Sequence, residues 1–272
     1  MNPEGLIGIL TILGISYLLS NNRSLIKPRI VCWGLGLQFF FAVIILKIPY
    51  LQSKLFFVDR IVKRLISFSD QGSNFLFESF IPEVGYHAAM VNFAFRALPV
   101  IIFFSSLISV TYHFGVIQFI VRGFAKIMEK SMKTSGPETL SISANIFVGQ
   151  TEAPILIRPY IDKMTNSELM AVMTGGFATV AGSVLALYVL WLSNIEGIAG
   201  HLLTASIMSA PASLVIAKII YPETEKLHTS NTFDIDIEIK AENAMDALGK
   251  GATDGLKLAA NVGAMLVAFI SV

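Results

Sequence analysis

The residues with the clearest chemical potential form one stretch of the chain, Ser143-Ala-Asn-Ile-Phe-Val-Gly-Gln-Thr-Glu-Ala-Pro154. An amide, a hydroxyl and a carboxylate follow one another there, in Gln150, Thr151 and Glu152, inside an otherwise apolar run. A carboxylate within a bilayer costs about 2.5–3.5 kcal/mol on insertion scales, so a residue of this kind indicates a functional site. Together with the free backbone amides of a helix start, these groups can exchange hydrogen bonds with a polar, largely neutral organic solute.

The same stretch offers ligands for an ion. Asn145 and the carbonyl group of Val148 are hard oxygen donors of the kind that a sodium ion uses, and the following apolar segment adds Thr179 and Val180. Secondary transporters build such sites where broken helices meet near the bilayer midplane. The alternative interpretation is structural, with polar groups that satisfy one another and hold neighbouring helices together.

The segment after the polar stretch is rich in small and hydroxyl residues, Thr174-Gly-Gly-Phe-Ala-Thr-Val-Ala-Gly-Ser183. Small residues are typical of close helix packing in membranes. The same composition fits local unwinding at Gly175-Gly176, or exposed carbonyl groups, that would bind an ion. Both interpretations stay open at the level of composition.

The overall composition is that of a membrane protein. Of the 272 residues, 54% are hydrophobic and 14% are charged, whereas soluble domains contain about 25% charged residues. The net charge of +1 predicts no nucleic-acid partner, because such a partner would require clustered positive charge. The single cysteine, Cys32, excludes an internal disulfide and a cysteine-based metal cluster.

The sequence contains none of the common enzyme motifs: no Walker loop, dinucleotide fingerprint, HExxH pair or Gly-x-Ser-x-Gly nucleophile. An intramembrane hydrolase built on Glu152 would need a metal or a nucleophile at the same depth, and the histidines are distant in the sequence. We therefore expect neither enzymatic activity nor a cofactor, apart from a coupling ion.

Residues 137–161 predict a re-entrant helical hairpin. Gly149 permits backbone angles that break a helix, while Thr151 is a suitable N-cap and Pro154 is tolerated in a first helical turn. Each arm of about ten residues rises about 15 Å, which is enough to reach the midplane and return. Both ends are cytoplasmic by the positive-inside rule, because they are flanked by basic residues: Lys130, Lys133, Arg158 and Lys163.

The chain as a whole predicts an all-α, polytopic membrane protein with interfacial helices in addition to the hairpin. Residues 1–50 would form two transmembrane helices, and the basic loop between them places the N-terminus outside. Residues 51–133 would form an interfacial helix, a connecting loop at 72–85, and a third transmembrane helix over 97–112 that continues as a helix to 132.

Residues 134–272 would form the transport core around the hairpin. We expect transmembrane helices at about 167–193 and 198–218, and then a polar cytoplasmic segment over 222–255 that ends in an amphipathic interfacial helix. The final element, 256–272, is apolar but shorter than the 20 or so residues that a span needs. We therefore expect an incomplete helix in a truncated chain.

Several of these stretches together resemble the concentrative nucleoside transporter family. The resemblance rests on Gly149-Gln-Thr-Glu-Ala-Pro-Ile-Leu-Ile-Arg-Pro-Tyr160 and on Met173-Thr-Gly-Gly-Phe-Ala-Thr-Val-Ala-Gly-Ser183. Gly34-Leu-Gly-Leu-Gln-Phe39 and Ala260-Asn-Val-Gly-Ala-Met265 extend it to the flanking spans. It covers essentially the whole chain in order, and its GQTEAP motif is specific.

The resemblance implies a homotrimeric symporter of the inner or plasma membrane that moves nucleosides into the cell on a sodium or proton gradient. Its site residues map to two sets: nucleobase contacts at Gln150, Thr151 and Glu152, and sodium ligands at Asn145, Val148, Thr179 and Val180. Family members continue with a second hairpin whose acidic, asparagine and serine residues hold the ribose.

Two other functions remain open beside sodium-coupled transport. The intact GQTEAP motif with these oxygen ligands resembles the sodium-coupled branch, but a proton-coupled symporter would use Glu152 as its proton carrier. A purely structural membrane subunit would use the polar residues for packing alone.

Overall fold

The computed structural model describes residues 3–47, 49–77, 93–150, 153–225 and 241–272. Within these ranges the chain is helical and has no strand, which confirms the predicted all-α class; it contains 3₁₀ helices at Arg23–Leu25 and Ala153–Lys163 and a π-helical turn at Phe93–Ala97. The α-helices are α1 Pro3–Leu18, α2 Pro28–Lys47, α3 Pro49–Phe77, α4 Leu98–His113, α5 Val116–Met132, α6 Gly136–Asn145, α7 Asn166–Ala178, α8 Gly182–Trp191, α9 Ile198–Ile220 and α10 Ala244–Ile270.

Helix length and hydropathy make the chain a multi-pass membrane protein. Four stretches of the described residues are long and apolar enough to cross a bilayer, namely Pro28–Ile45 in α2, Asn166–Trp191 across α7 and α8, and the whole of α9 and α10. The pair α4 and α5 would add a fifth span if the two count as one. Large apolar side chains such as Leu10, Leu18 and Phe39 are exposed, as expected of helices that face lipid.

The chain divides into two compact units, each discontinuous in sequence. Unit 1 comprises Met1–Lys47, Phe119–Val180 and Thr204–Ile237, and unit 2 comprises Ile48–Gln118, Ala181–Leu203 and Glu238–Val272. Unit 1 holds α1, α2, α6, α7 and most of α5 and α9. Unit 2 holds α3, α4, α8 and α10, so the predicted polar hairpin and its proposed ion ligands all lie in unit 1.

In unit 2, α10 packs on α4 through small residues spaced four apart. Ala247, Gly251, Gly255 and Ala259 are all buried, and this spacing places them on one helical face. A Cβ on Gly251 would lie 2.7 Å from the Cα of Ser106. Close approach of two backbones through small residues is a common way to pack helices in a membrane.

We expect Gly251→Ala to destabilise the protein by about 1–3 kcal/mol, because the added methyl group has no space against the backbone of α4. Gly249→Ala is the matched control on the same helix, since a Cβ there would meet no atom of the described residues within 4 Å. That control should be neutral or slightly stabilising, because alanine favours a helix over glycine. The measurement is the thermal melting midpoint of the full-length protein in detergent, and equal midpoints for the two variants would contradict the packing.

Two predicted helix boundaries in unit 2 are wrong. Gly72, which the sequence places in a loop, lies inside α3 because the buried face of that helix continues past it to Ser73. The hydroxyl of Ser73 donates to the carbonyl of Phe95 at 2.6 Å. The helix predicted over 97–132 is broken after His113, where Gly115 has a φ of +76° and its amide donates to a carbonyl of the last turn of α4.

The predicted interfacial helix at the end of 222–255 and the incomplete helix at 256–272 are in fact one helix, α10. The charged residues of α10 all lie between Asp246 and Lys257 and the remainder of the helix is largely apolar, so the sequence suggests a boundary. The small-residue face runs across that boundary and packs on α4 throughout, which keeps the helix continuous. Residues 226–240 of the predicted cytoplasmic segment lie outside the described residues.

Candidate functional site

The polar stretch forms a helical hairpin within unit 1. α6 ends at Asn145, and the backbone amides of Phe147 and Val148 both donate to the carbonyl of Ala144, which closes the last turn tightly. Gly149 follows with a φ of +153°, a conformation that residues with a Cβ rarely adopt. The sequence therefore places the reversal of the chain correctly at this glycine.

The returning arm is a 3₁₀ helix over Ala153–Lys163. The sequence predicts a second helix near Thr151, and the rise expected for it is that of an α-helix. The first amide of the arm, of Ala153, donates to the Gly149 carbonyl at 2.9 Å. Pro159 lies inside the arm and lacks an N–H donor, so it interrupts an α-helical ladder, whereas Pro154 lies in the first turn, where no donor is needed. The arm packs against α6, so the chain turns back on itself.

α6 and α7 lie side by side and run in the same direction. Their first turns meet at Lys218, whose Nζ lies 2.8 Å from Oε2 of Glu138 in α6 and 3.0 Å from Oγ of Ser167 in α7. Their last turns meet at Asn145, whose Nδ2 donates to the carbonyl of Gly175 at 2.8 Å. Two parallel helices bring their partial negative ends together, so this junction attracts a cation before any side-chain charge is counted.

Asn145 lies at the centre of this junction and is 2% exposed. Its Nδ2 also donates to Oγ1 of Thr179 at 2.5 Å, and the Thr179 hydroxyl lies 3.2 Å from the Gly175 carbonyl. Only the nitrogen of the amide can donate to a carbonyl, so the side-chain orientation is determined. The remaining oxygen, Oδ1, is buried and has no hydrogen-bond partner within the described part of the chain. An unsatisfied buried acceptor costs about 1–3 kcal/mol, and a bound cation would remove that cost.

The other two predicted ligands, Thr179 and Val180, lie in a break between α7 and α8. The amide of Val180 donates to Oγ of Ser206 at 3.4 Å. The last carbonyls of a helix have no intrahelical donor, so a break next to Asn145 supplies backbone oxygens as well as the Thr179 hydroxyl. The structure therefore brings Asn145 and Thr179 into direct contact, and Val180 follows Thr179 in the chain.

The break does not lie at Gly175-Gly176, which is where the sequence suggested unwinding. Both glycines are helical, and a Cβ on Gly175 would lie 2.6 Å from Cγ1 of Ile142. Gly175 thus serves the close packing of α7 on α6, and the unwound residues follow one turn later. Packing and unwinding both occur in this segment, at different positions.

Gln150 lies at the tip of the hairpin and is exposed. A Cβ on Gly176 would lie 3.4 Å from the Cβ of Gln150, so the tip is close to the last turns of α7. Val148 is buried, with 7% of its surface exposed. The two remaining candidates, Thr151 and Glu152, lie outside the described residues.

Sequence reasoning missed a buried polar cluster at the first turns of α6 and α7. The carboxylate of Glu138 accepts from the amide of Ser135, and that of Glu168 accepts from the amide of Thr165, each at 2.8 Å. Both glutamates are fully buried, and Lys218 is 6% exposed. The signal was present, because Ser135-Gly-Pro-Glu138 and Thr165-Asn-Ser-Glu168 both have the spacing of a capping box.

The cluster lies at the end of unit 1 where several helix ends are gathered. The amide of Asn21 in the α1–α2 loop donates to the carbonyl of Ile220 at the end of α9, at 2.9 Å. Nε of Arg29 donates to the carbonyl of Ser131 at the end of α5, at 3.1 Å. Exposed basic side chains occur at these helix ends and in the loops that join them: Arg23, Lys27, Arg29, Lys130, Lys133 and Lys163.

Comparison of the chain with known proteins identifies its family. Three family profiles match: "Na+ dependent nucleoside transporter N-terminus" over residues 7–80, "Nucleoside recognition" over 94–194, and "Na+ dependent nucleoside transporter C-terminus" over 201–272. An uncharacterized transporter of Haemophilus influenzae is 40% identical over 267 residues. Sodium/nucleoside cotransporter 1 of Homo sapiens is 38% identical over 275 residues. The chain belongs to the concentrative nucleoside transporter family.

The fold of the chain is also similar to that of solved structures of this family. The solved structure of CNTnw in an inward-facing substrate-bound state matches 98% of this chain with a TM-score of 0.86 and 39% identity. The chain spans 62% of the length of that structure. The match to the H. influenzae relative covers 98% of this chain and 62% of the relative, and the match to the human cotransporter covers 99% of this chain and 40% of the cotransporter. Members of the family are membrane transporters and not enzymes.

Proposed function

We propose that the full-length protein is a secondary active transporter that couples the inward movement of nucleosides to sodium. The supporting observation is the junction at Asn145, where the C-termini of the parallel helices α6 and α7 lie together and the helix is interrupted between α7 and α8. Oδ1 of Asn145 is buried there and has no hydrogen-bond partner among the described residues. Secondary transporters coordinate sodium with half-helix C-terminal ends and unwound backbone carbonyls. We assign the ion to Asn145, Val148, Thr179 and Val180.

The chemistry of this ligand set favours sodium over a proton. All four proposed ligands are neutral oxygens, from a side-chain amide, a hydroxyl and backbone carbonyls. Hard metal cations prefer such oxygens, whereas a coupling proton needs a group that titrates. Proton coupling would instead have to use Glu152, the acidic residue of the GQTEAP motif.

We place the nucleobase at the hairpin tip, against Gln150, Thr151 and Glu152. An amide, a hydroxyl and a carboxylate can both donate and accept the hydrogen bonds that the edge of a base offers. Gln150 lies close to α7 near the Asn145 junction, so the ion and the substrate would share one short length of backbone. Sodium that orders this backbone would raise the affinity for the nucleoside, and the nucleoside would raise the affinity for sodium by the same factor.

We further propose that the protein lies in the inner or plasma membrane with its N-terminus outside. The exposed basic residues of the α1–α2 loop and of the loops flanking the hairpin would be cytoplasmic by the positive-inside rule. The first turns of α6 and α7 would then lie on the cytoplasmic side, and the hairpin would enter the bilayer from there. A homotrimer, a nucleoside partner and a lipid environment complete the proposal, on the strength of the family resemblance.

The test is uptake of radiolabelled uridine by proteoliposomes that contain the full-length protein. We expect uptake when sodium is more concentrated outside, and none when choline replaces sodium. Uptake driven by an acidic exterior without sodium would favour proton coupling through Glu152. No uptake of uridine or of a panel of other nucleosides under either gradient, from protein that melts cooperatively, would favour a structural subunit and contradict the proposal.

A further inference from the structure

We propose that Lys218 is a positioning residue for the sodium site at the opposite ends of α6 and α7. The inference rests on the proposed function, because it concerns the same ion. Lys218 lies in the last turn of α9 and is buried. Its ammonium group has three donors and three close partners: Oε2 of Glu138 at 2.8 Å, Oγ of Ser167 at 3.0 Å and Oε2 of Glu223 at 3.5 Å.

Two of these partners belong to the first turns of the helices that end at the ion site. Glu138 is in the first turn of α6, and its other carboxylate oxygen accepts from the amide of Ser135, so the side chain is held at both ends. Ser167 is the second residue of α7, and its hydroxyl donates to the carbonyl of Tyr221 at 2.7 Å. One cation therefore ties the starts of α6 and α7 to each other and to α9.

A short length of helix separates the Lys218 contacts from the ion site in both α6 and α7. α6 rises about 10 Å from Glu138 to Asn145, and α7 rises about 12 Å from Ser167 to Gly175. Because the rise of a helix is regular, a shift between the two starts is carried to the two ends. The bonds from Asn145 to Gly175 and Thr179 are 2.8 and 2.5 Å long, and such bonds weaken over a few tenths of an ångström. Lys218 thus sets the register in which α6 and α7 present the ion ligands.

A salt bridge that only stabilises the fold is the competing explanation. Buried ion pairs are weak evidence for stability, and removing both partners together often changes stability little. The two roles make different predictions. A stabilising pair affects how much protein folds, whereas a positioning residue affects the sodium affinity of the protein that has folded.

The experiment measures the sodium concentration for half-maximal uridine uptake by the full-length protein in proteoliposomes. Ser167→Ala keeps the Glu138–Lys218 pair but removes the direct bond from Lys218 to α7, and leaves the indirect contact through Glu223 to Thr165, the N-cap of α7. The double variant Lys218→Met with Glu138→Gln removes the tie without leaving either member of the pair as an unpaired charge. We expect both to raise the half-saturating sodium concentration by about tenfold, with the half-saturating uridine concentration unchanged at saturating sodium.

Ser213→Ala is the matched control, because Ser213 is buried in α9, the helix of Lys218, and its hydroxyl donates within that helix, to the carbonyl of Ala210 at 2.8 Å. It should leave the half-saturating sodium concentration at the wild-type value. If wild-type uptake depends on sodium but Ser167→Ala and the double variant keep the wild-type sodium affinity, the role of Lys218 is overturned and the proposed function stands. A wild-type protein whose uptake ignores sodium would overturn the proposed function and this inference with it.

Discussion

Replacing Asn145 by alanine should raise the sodium concentration for half-maximal uridine uptake by about ten- to a hundredfold. The substitution removes Oδ1, the buried oxygen that has no hydrogen-bond partner within the described residues. A contact between a polar group and a charge contributes about 1.5–3 kcal/mol, and that free energy corresponds to about ten- to a hundredfold in affinity. The measurement is the initial uptake rate of the full-length protein in proteoliposomes, as a function of sodium at fixed uridine.

Ser143→Ala is the matched control for Asn145→Ala. Ser143 is fully buried in the same helix, and its hydroxyl makes a weak bond to Sδ of Met128 at 3.7 Å. Its loss should leave the sodium dependence unchanged. Thr179→Val, which replaces a hydroxyl by a methyl group of similar size, should also weaken sodium binding, whereas Thr179→Ser should not. An Asn145→Ala protein with wild-type sodium dependence would remove Asn145 from the ligand set.

Replacing Glu152 by glutamine should abolish measurable uridine uptake. A carboxylate accepts hydrogen bonds with both of its oxygens, whereas the glutamine side chain presents an NH₂ group that meets the same donors unfavourably. Losing one partner of a buried, charged hydrogen bond costs about 2–5 kcal/mol, which corresponds to about thirtyfold to a few thousandfold in affinity. Uptake and equilibrium binding of labelled uridine, both at saturating sodium, measure the effect.

The response to sodium itself separates the two proposed sites. We expect sodium to raise the melting temperature of the Glu152→Gln protein as it does that of the wild type, because the four proposed ion ligands are intact. Glu152→Asp, which keeps the charge on a shorter side chain, should retain part of the uptake. Wild-type uptake by the glutamine variant would show that Glu152 does not contact the substrate.

The hairpin was predictable because its signals are local. Gly149 offers the backbone freedom that the turn uses, and the amides around it complete the bonds expected at a helix end. The form of the returning arm was less predictable, since Pro159 inside the arm acts together with the packing against α6 to favour a 3₁₀ helix. Local rules located the turn but not the kind of helix that follows it.

Helix boundaries depended on packing that local patterns do not contain. Polarity changes along α10 and a glycine within α3 suggested ends where the structure has none. In both helices a buried face continues through the suggested end, for example from Gly251 to Ala259 in α10. Burial against a neighbouring helix outweighs a single unfavourable residue, because a glycine costs only about 1 kcal/mol in a helix.

The sequence by itself determined the class of protein, the hairpin and the chemical types of the candidate site residues. These follow from apolar content, from the insertion cost of a carboxylate and from the conformational freedom of Gly149, which are properties of short stretches. Only the tertiary structure decided which oxygen at the junction has no partner among the described residues, where α7 unwinds, and that Lys218 joins the two helices. Those outcomes depend on pairs far apart in the chain, Asn145 with Gly175 at a separation of 30 residues and Ser167 with Lys218 at 51. No local pattern encodes such a pairing, because it is set by how the helices pack.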